Sequence, residues 1–387
     1  MQYRIDNKSG TKLSCLGFGC MRFPDKTKTE ELLLKAVESG VNYFDTAYMY
    51  GGSEALLGEV LKKHNLREKV YIATKLTQMV CKTSADFDRI FAEQLKRLKT
   101  NYIDYYHMHN FTAYAQWERL VSIGIKEWIA AKKESGEIKQ IGFSFHGPYL
   151  DFVKILDSYN WEFVLIQYNY MNEHYQAGVE GLRYAHAKGL PVFIMEPLLG
   201  GKLADVPTEA ARVFQSARPG STPVSWALNW LWNQNEVTVV LSGMNKMEQL
   251  EENLKLADMA SAGMFSESDA DTVKRVTKIV NDSFKIPCTG CNYCLPCPKG
   301  INIPSCLAAY NASYAQGYTT GVFLYLTSVG FMQQSNRYYA SDCVACGVCE
   351  KKCPQNIAII KELKRVKRRL QFPGINALSM LVNKFLK

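Results

Sequence analysis

Two runs of four cysteines are the densest concentration of reactive side chains in this 387-residue chain. The two runs together comprise Cys288, Cys291, Cys294, Cys297, Cys343, Cys346, Cys349 and Cys353. The chain begins with MQYRIDNKSGTKLSC, which contains no apolar leader, so we expect a cytoplasmic protein. Because a reducing cytosol disfavours disulfides, we expect these thiols to bind metal or to do redox chemistry.

A second set of side chains has the chemistry needed to move a proton. The set comprises Asp45, Tyr50, Lys75 and His109, which end or follow three consecutive β-rich runs. Reduction of a carbonyl by hydride requires a proton for the developing alkoxide. A tyrosine, whose ordinary pKa is about 10, donates poorly at neutral pH unless a cation lowers that pKa. Lys75 can supply the charge, Asp45 can hold Lys75, and His109 can donate a hydrogen bond to the carbonyl oxygen.

Two neighbours are of the same residue types as members of this set. Tyr48 comes two positions before Tyr50, and His107 comes two positions before His109. His107 shares the strand face of His109, because side chains in a strand alternate with a period of two. We therefore expect His107 to lie deeper in the sheet than His109.

The elements that must position these residues repeat one pattern. Amphipathic helical stretches alternate with short β-rich runs, for example 54–65 followed by 69–76, and 88–98 followed by 102–109. This alternation predicts an α/β fold with a parallel sheet. Eight such units in about 260 residues predict a closed (β/α)8 TIM barrel, in which functional side chains lie at the carboxyl ends of the strands. A doubly wound open sheet is the alternative, but no GxGxxG follows the opening strand, which we predict at 13–18.

Three sequence motifs resemble the aldo-keto reductase family. They are DTAYMYGGSE at 45–54, the Thr-Lys pair at 74–75, and DYYHMH at 104–109. The resemblance covers about residues 10–258. It implies an NAD(P)H-dependent barrel reductase that acts on a small carbonyl or alcohol substrate, with Tyr50, Lys75, Asp45 and His109 as the catalytic tetrad. Residues 110–117, after the fourth strand, supply aromatic side chains that we expect to line the substrate pocket.

The same resemblance implies a set of cofactor contacts. Ser144 and Gln167 are expected beside the nicotinamide carboxamide, and Met195 stands where many members have a stacking aromatic. Cys20 and Met21 follow the first strand and are expected to border the cofactor. Ser242, Gln249 and Asn253 are expected at the adenosine-phosphate end. Because Gln249 stands where arginine is common in NADP-selective members, and Lys246 can serve a 2′-phosphate, the choice between NAD and NADP stays open.

The cysteine spacing predicts iron–sulfur clusters. The second run, followed by Pro354, fits the C-x2-C-x2-C-x3-C-P spacing of bacterial ferredoxins with two [4Fe–4S] clusters, in which the fourth thiolate binds the other cluster. The first run has a final gap one residue shorter. With cross-ligation, one cluster would be bound by Cys288, Cys291, Cys294 and Cys353. The other would be bound by Cys343, Cys346, Cys349 and Cys297. Zinc is the alternative, because either run can be divided into two C-x2-C halves.

These patterns divide the chain into three parts. We expect a barrel at 1–280, a small ferredoxin-like, α-helical 4Fe–4S domain at 281–360, and a basic C-terminal tail at 361–387. Ten basic and one acidic residue fall in 351–387, whereas the rest of the chain balances 36 against 36. This distribution argues against a nucleic-acid-binding protein, and no apolar run is long enough to span a membrane. The tail, which ends in a weakly amphipathic stretch at 378–386, is either a solvated basic helix or a contact for an acidic partner or a membrane surface.

The sequence leaves three functions open. The first is an NAD(P)H-dependent oxidoreductase whose clusters exchange electrons with a ferredoxin or another electron-transfer partner, or serve a structural or sensing role. Because hydride transfer moves two electrons and a [4Fe–4S] cluster usually carries one, the second is a ferredoxin-linked reductase with an unrecognised flavin. The third is a non-catalytic electron-transfer protein on a barrel scaffold.

Overall fold

Eight parallel strands close into a barrel in the computed structural model, which describes residues 1–315, 317–329 and 338–371. The barrel strands are β3 (Leu16–Gly19), β4 (Tyr43–Asp45), β5 (Tyr71–Leu76), β6 (Ile103–Phe111), β7 (Ile138–Phe145), β8 (Phe163–Gln167), β9 (Val192–Met195) and β10 (Val237–Ser242). Each strand pairs with the next, and β10 pairs with β3 through Ser242 and Phe18. The predicted TIM barrel is confirmed, and the open sheet is excluded.

Ten helices follow the barrel strands in the sequence. They are α1 (Lys26–Glu38), α2 (Ser53–Lys63), α3 (Ser84–Leu98), α4 (Tyr114–Ser122), α5 (Ile125–Glu134), α6 (Tyr149–Asp157), α7 (Gly178–Ala187), α8 (Thr208–Ala217), α9 (Pro223–Trp232) and α10 (Met247–Asp258). Helix α3 shows how local sequence fixes such an element, because Thr83 and Asp86 form a capping box at its start. Its buried side chains, which include Phe87 and Phe91, then set which face meets the barrel.

The amino-terminal segment differs from the single opening strand predicted at 13–18. Strands β1 (Tyr3–Ile5) and β2 (Lys12–Ser14) form an antiparallel hairpin, and only β3 enters the barrel. The Arg4 guanidinium donates to the backbone carbonyls of Gln234, Val237 and Trp232. The hairpin is therefore fixed to the end of α9 and the start of β10.

Aromatic side chains fill the barrel interior. Tyr43, Tyr105, Phe163 and Phe193 are all buried, with ring centroids 4.9 Å apart for Tyr43 and Phe193 and 5.4 Å apart for Phe163 and Phe193. Side chains of this size leave no channel through the barrel. Polar chemistry is consequently confined to the ends of the strands.

The segment after β6 corrects one sequence-based expectation. We expected the aromatic side chains of residues 110–117 to line a substrate pocket. The segment instead leads into α4, where Trp117 is 1% exposed and packs 4.8 Å from Trp161, measured between ring centroids. The amphipathic spacing of α4 directs Trp117 into the core, whereas we had interpreted residues 110–117 as a loop.

The remaining described residues form five helices: α11 (Glu267–Ser283), α12 (Ile303–Ala315), α13 (Tyr318–Ser328), α14 (Val348–Lys351) and α15 (Ile359–Leu370). The chain divides into two compact units, Met1–Leu198 with Val224–Ser268, and Leu199–Pro223 with the residues from Asp269 onward. Within the second unit, Arg218 forms a two-bond ion pair with Asp269, at 2.9 and 2.6 Å. The predicted limits at residues 280 and 360 remain predictions.

Helix α15 lies where the predicted basic tail begins. Its Leu363 and Val366 are buried in one apolar cluster with Cys306 and Leu307 of α12. The first part of the basic segment is thus a packed helix with one charged face. The weakly amphipathic stretch predicted at 378–386 lies outside the described residues. Within the described ranges, no helix has the length and apolar character needed to cross a membrane.

The burial of Trp117 gives a test of this packing. We expect Trp117→Ala to lower the free energy of unfolding by about 3–5 kcal/mol, because it removes a buried indole and leaves a cavity. Leu150→Ala is the matched control, since Leu150 is 72% exposed on α6, and it should change stability by less than about 0.5 kcal/mol. Urea denaturation followed by far-ultraviolet circular dichroism measures both. A loss below about 1 kcal/mol for Trp117→Ala would contradict the packing described.

Candidate functional site

The four predicted catalytic residues come from neighbouring strands at one end of the barrel. Asp45 is the last residue of β4, Lys75 precedes the last residue of β5, and His109 lies near the end of β6. Tyr50 sits in the turn between β4 and α2, where its backbone N–H donates to the Ala47 carbonyl at 2.9 Å. Parallel strands bring their carboxyl ends to one face, so residues 30 or more positions apart in sequence meet there.

Lys75 is buried, and its ammonium group donates hydrogen bonds to two acceptors. Its Nζ donates to Asp45 Oδ1 at 2.5 Å and to the Thr46 carbonyl at 2.6 Å, and its side chain is 2% exposed. Burial raises the pKa of Asp45, and the charge of Lys75 opposes that rise. The same Nζ lies 4.9 Å from the centre of the Tyr50 ring. The structure therefore brings a positive charge close to the Tyr50 ring.

His109 also lies close to Tyr50. The two ring centroids are 6.0 Å apart and the rings are nearly perpendicular, at 85°. Burial lowers the pKa of His109 well below its ordinary value, and the charge of Lys75 lowers it further. The imidazole is therefore neutral at pH 7, so one of its ring nitrogens carries a proton and the other does not.

The two neighbouring residues of the same types lie elsewhere. The Tyr48 hydroxyl donates to Glu93 Oε2 of α3 at 2.8 Å, and the Arg97 guanidinium covers its ring at 4.5 Å. Tyr48 thus faces the outer helix. His107 is fully buried against Phe163, with Nε2 3.6 Å from Asp45 Oδ2, so it lies below the site as its strand position predicts.

A buried polar network supports the strand that carries Lys75, and sequence reasoning missed it. Glu54 is 2% exposed, and its Oε1 accepts hydrogen bonds from Thr74 Oγ1 at 2.6 Å and from Gln94 Nε2 at 2.8 Å. Gln94 Nε2 also donates to the Lys75 carbonyl at 3.1 Å, and Arg97 donates to Glu54 Oε2 at 3.1 Å. The available signal was Glu54 itself, a charged residue on the apolar side of α2.

Two predicted nicotinamide contacts differ in their free hydrogen-bonding capacity. Ser144 Oγ accepts from the Asn110 backbone N–H at 2.7 Å, so the barrel itself already engages this hydroxyl. Gln167 is 0% exposed, and neither polar atom of its amide has a partner among the described residues. A buried amide of this kind is costly unless something binds it. Gln167 therefore fits a group such as a carboxamide, which offers both a donor and an acceptor.

The predicted adenosine-phosphate contacts surround the start of α10. Asn253 Nδ2 donates to Ser242 Oγ at 2.9 Å, and both residues are buried. Gln249 Oε1 accepts from the Asn245 backbone N–H at 3.0 Å. Lys246 is exposed immediately before the helix begins. This end of the helix combines backbone N–H groups with a lysine, which suits a phosphate group.

The last three predicted contacts have different environments. Met195 is partly buried at the end of β9 and packs against the aromatic cluster inside the barrel. Met21 is 36% exposed. Cys20 is completely buried, its thiol points towards the Phe18 carbonyl at 3.5 Å, and burial raises its pKa well above the ordinary value. Its side chain is thus part of the core.

Further buried polar atoms lie at the carboxyl ends of β5, β6 and β7. Within the described residues no hydrogen-bond partner exists for Thr77 Oγ1, Gln78 Nε2, Asn110 Oδ1 or His146 Nδ1. Burial lowers the pKa of His146 to about 4, so this imidazole is neutral at pH 7. The end of the barrel where the tetrad lies thus has unused donors and acceptors around it.

The cysteines of the two runs mix across the sequence. One cavity is lined by Cys297 of the first run together with Cys343, Cys346 and Cys349 of the second. Burial raises the pKa of Cys294 to about 12, and the nearby thiols of Cys288, Cys291 and Cys353 raise it as well. Each group therefore takes three thiols from one run and the fourth from the other.

These thiols are suited to a cluster. Within the described ranges no disulfide joins any two cysteines, and no three Cys, His, Asp or Glu side chains converge closely enough to hold a single metal ion. A [4Fe–4S] cluster is itself a body of eight atoms between its ligands, so its four thiolates need not meet at one point. The donor set, four thiols around an apolar cavity that also contains Ile303, Ile360 and Leu363, fits such a cluster.

Comparison with known proteins follows the same division of the chain. The profile of the aldo/keto reductase family matches residues 15–278. The chain belongs to the aldo/keto reductase family. A second profile, that of a 4Fe-4S dicluster domain, matches residues 287–358, so this family member carries an iron–sulfur domain after its barrel. Both predicted resemblances are confirmed.

Named relatives cover mainly the barrel. Uncharacterized oxidoreductase YqkF of Bacillus subtilis (strain 168) is 26% identical over 296 residues, which are 67% of this chain and 92% of YqkF. L-galactose dehydrogenase of Arabidopsis thaliana is 27% identical over 311 residues, 72% of this chain and 94% of the relative. The solved structure of aldo-keto reductase AKR11C1 from Bacillus halodurans (holo form) has a TM-score of 0.60 at 23% identity and covers 71% of this chain and 96% of its own. At this identity the structural similarity shows the fold.

Proposed function

We propose that the barrel transfers hydride between NAD(P)H and a carbonyl or alcohol substrate. The observation that carries the proposal is the buried Lys75, which is paired with Asp45 and lies 4.9 Å from the ring of Tyr50. Burying the Lys75 ammonium costs free energy, which its pairing with Asp45 offsets. Proton donation by Tyr50 gives a functional reason for keeping this buried charge beside a tyrosine.

Each member of the tetrad then has one role. Bound NAD(P)H supplies the hydride to the carbonyl carbon, and the Tyr50 hydroxyl gives its proton to the carbonyl oxygen, which completes the alcohol. The Lys75 ammonium stabilises the phenolate that Tyr50 becomes, and Asp45 holds that ammonium in place. Neutral His109 donates a hydrogen bond that orients the carbonyl oxygen. In the reverse direction, oxidation of the alcohol returns the proton of its hydroxyl group to Tyr50.

The proposed cofactor site uses residues from five strand ends. Gln167 would bind the nicotinamide carboxamide, with Ser144 beside it, and Met195 and Met21 would border the ring and its ribose, whereas the thiol of Cys20 stays in the core. Ser242, Gln249 and Asn253 hold the adenosine-phosphate end. The exposed ammonium of Lys246 at the start of α10 favours the 2′-phosphate of NADP over NAD.

A polar substrate fits the barrel better than a hydrocarbon-like one. The buried atoms without partners at Thr77, Gln78, Asn110 and His146 would stay unsatisfied beside an apolar substrate, whereas a polar substrate could form hydrogen bonds with them. The name of the relative L-galactose dehydrogenase refers to a sugar. We therefore infer that the substrate of this chain carries hydroxyl or other hydrogen-bonding groups.

For the second domain we propose two [4Fe–4S] clusters with crossed ligands. Cys288, Cys291, Cys294 and Cys353 hold one, and Cys297, Cys343, Cys346 and Cys349 hold the other. The cavity that groups Cys297 with three thiols of the second run supports this pairing. The proximity of Cys353 to Cys294 supports the reciprocal exchange. The clusters supply one-electron chemistry to a partner protein when they are bound.

Two tyrosine variants test the barrel chemistry. We expect Tyr50→Phe to lower kcat for NADPH-dependent reduction of 4-nitrobenzaldehyde by about 10²–10⁴-fold, because the proton donor is lost. Tyr48→Phe is the matched control, since that hydroxyl donates to Glu93 outside the barrel, and it should retain kcat within about threefold. Steady-state kinetics with NADPH titration measures both. Equal activity of Tyr50→Phe and the parent chain would rule out the proposed proton donor.

Metal analysis and spectroscopy test the clusters. Anaerobically purified chain should contain about eight iron and eight sulfide per molecule. Cys294→Ser and Cys353→Ser should lose the same electron paramagnetic resonance signal, and Cys349→Ser the other. Cys306→Ala, which alters a core cysteine, should keep both signals. The pairing is wrong if Cys353→Ser behaves like Cys349→Ser, and zinc in place of iron would exclude the clusters.

A further inference from the structure

One wall of the iron–sulfur domain opens to the surface. Cys346 is exposed at the cavity that it lines with Cys297, Cys343 and Cys349, and Val344 beside it is 57% exposed. Val348 is a second exposed apolar side chain here, at 37%. A cluster in this cavity would therefore have one edge close to solvent, beneath a small apolar patch.

Exposed lysines occur on the segments that line this cavity. Lys299 lines the cavity itself, as does Ile360 of α15. Lys364 and Lys367 follow Ile360 by four and seven residues, so they continue the same side of the helix, and both are exposed. Lys351 and Lys352, at the end of α14, are exposed as well. We call Lys299, Lys351, Lys352, Lys364 and Lys367 the lysine rim.

Nearby acids do not offset this charge. Residues 338–371 contain eight basic and three acidic side chains. Of the acids, Glu362 is buried and paired with Arg365, and Glu350 accepts a hydrogen bond from the Ile360 backbone N–H at 2.8 Å. Asp342 is exposed and caps the turn after Tyr339. Within the described ranges no salt bridge engages a member of the lysine rim, so its charge faces solvent.

We propose that the lysine rim docks a small acidic protein that carries single electrons on its own iron–sulfur centre. Protein interfaces combine an apolar centre with a polar rim, and the exposed valines supply that centre here. Opposite charge then steers the partner and fixes its orientation. Docking at this place would bring the partner to the most exposed thiol of the cavity. The proposal rests on the proposed cluster in that cavity, but not on hydride transfer in the barrel.

Binding to a purified acidic ferredoxin tests the proposal. Isothermal titration of the anaerobically purified full chain should show a complex whose affinity falls at least tenfold between about 0.02 M and about 0.3 M salt, because screening weakens surface charge. The rim variant Lys299→Glu/Lys364→Glu/Lys367→Glu should weaken binding by a further factor of about ten or more at low salt. The control Lys62→Glu/Lys96→Glu/Lys255→Glu changes the same net charge on exposed barrel helices, and it should stay within about threefold of the parent.

Several outcomes would overturn the docking surface. Equal weakening by the rim and control variants would mean that net charge alone attracts the ferredoxin. Absence of ferredoxin binding by cluster-loaded parent chain, or rim-dependent binding to phosphatidylserine vesicles in its place, would overturn it too. Iron content and the visible spectrum of every sample separate this failure from failure of the proposed clusters. If the rim variant loses iron, Lys351→Glu/Lys352→Glu, which leaves the cavity wall intact, must show the loss of binding.

Discussion

The buried ion pair between Lys75 and Asp45 is the constraint on which the rest of the barrel depends. Neither side chain is more than 6% exposed, and breaking such a pair by removing one partner commonly costs about 3–5 kcal/mol. Closure of the barrel brings β4 and β5 together at this point, and the Thr46 carbonyl gives the ammonium a second acceptor. The pair supplies a fixed positive charge at the mouth, and in the proposed mechanism that charge acts on Tyr50 as the proton donor and on His109 as the neutral hydrogen-bond donor.

Support for this pair comes from outside the barrel mouth. Glu54, Thr74, Gln94 and Arg97 connect α2, β5 and α3, and Gln94 binds the backbone of Lys75 itself. The network makes Glu54 a positioning residue, because it holds the strand and touches none of the four proposed catalytic side chains. Catalytic side chains must be held within about half an ångström of their productive positions for a site to work.

Much of this could be predicted from sequence because it is local or periodic. Alternating helical and strand patterns give eight units, and the ends of the strands then place Asp45, Lys75 and His109 on one face. Long-range partners could not be predicted in the same way. Glu54 and Gln94 are 40 residues apart, and only the packing of α2 on α3 joins them. Trp117 was wrongly assigned to the substrate pocket, because a helix of only nine residues is difficult to distinguish from a loop in the sequence.

The second unit shows a similar limit. Cysteine spacing predicts the clusters, and the spacing of bacterial ferredoxins implies their crossed pairing. The path of the chain between the two cysteine runs could not be predicted from that spacing. Helix α15 was predicted as part of a basic tail, whereas its Leu363 and Val366 help to form the core beside the cysteines. A helix with one strongly charged face still packs when its apolar stripe is regular, and the charged face then becomes a surface of the domain. The proposed two-electron chemistry of the barrel and the proposed one-electron chemistry of the clusters thus belong to separate compact units of one chain.

The most direct test removes the central charge without leaving its partner unpaired. Lys75→Met combined with Asp45→Asn keeps similar side-chain volumes and removes both charges, so the chain should fold, as circular dichroism and thermal denaturation would verify. We expect kcat for carbonyl reduction to fall by about 10²-fold or more while the dissociation constant of NADPH changes little, because the charge acts on proton transfer. A folded double variant that retains kcat within about threefold of the parent would contradict it.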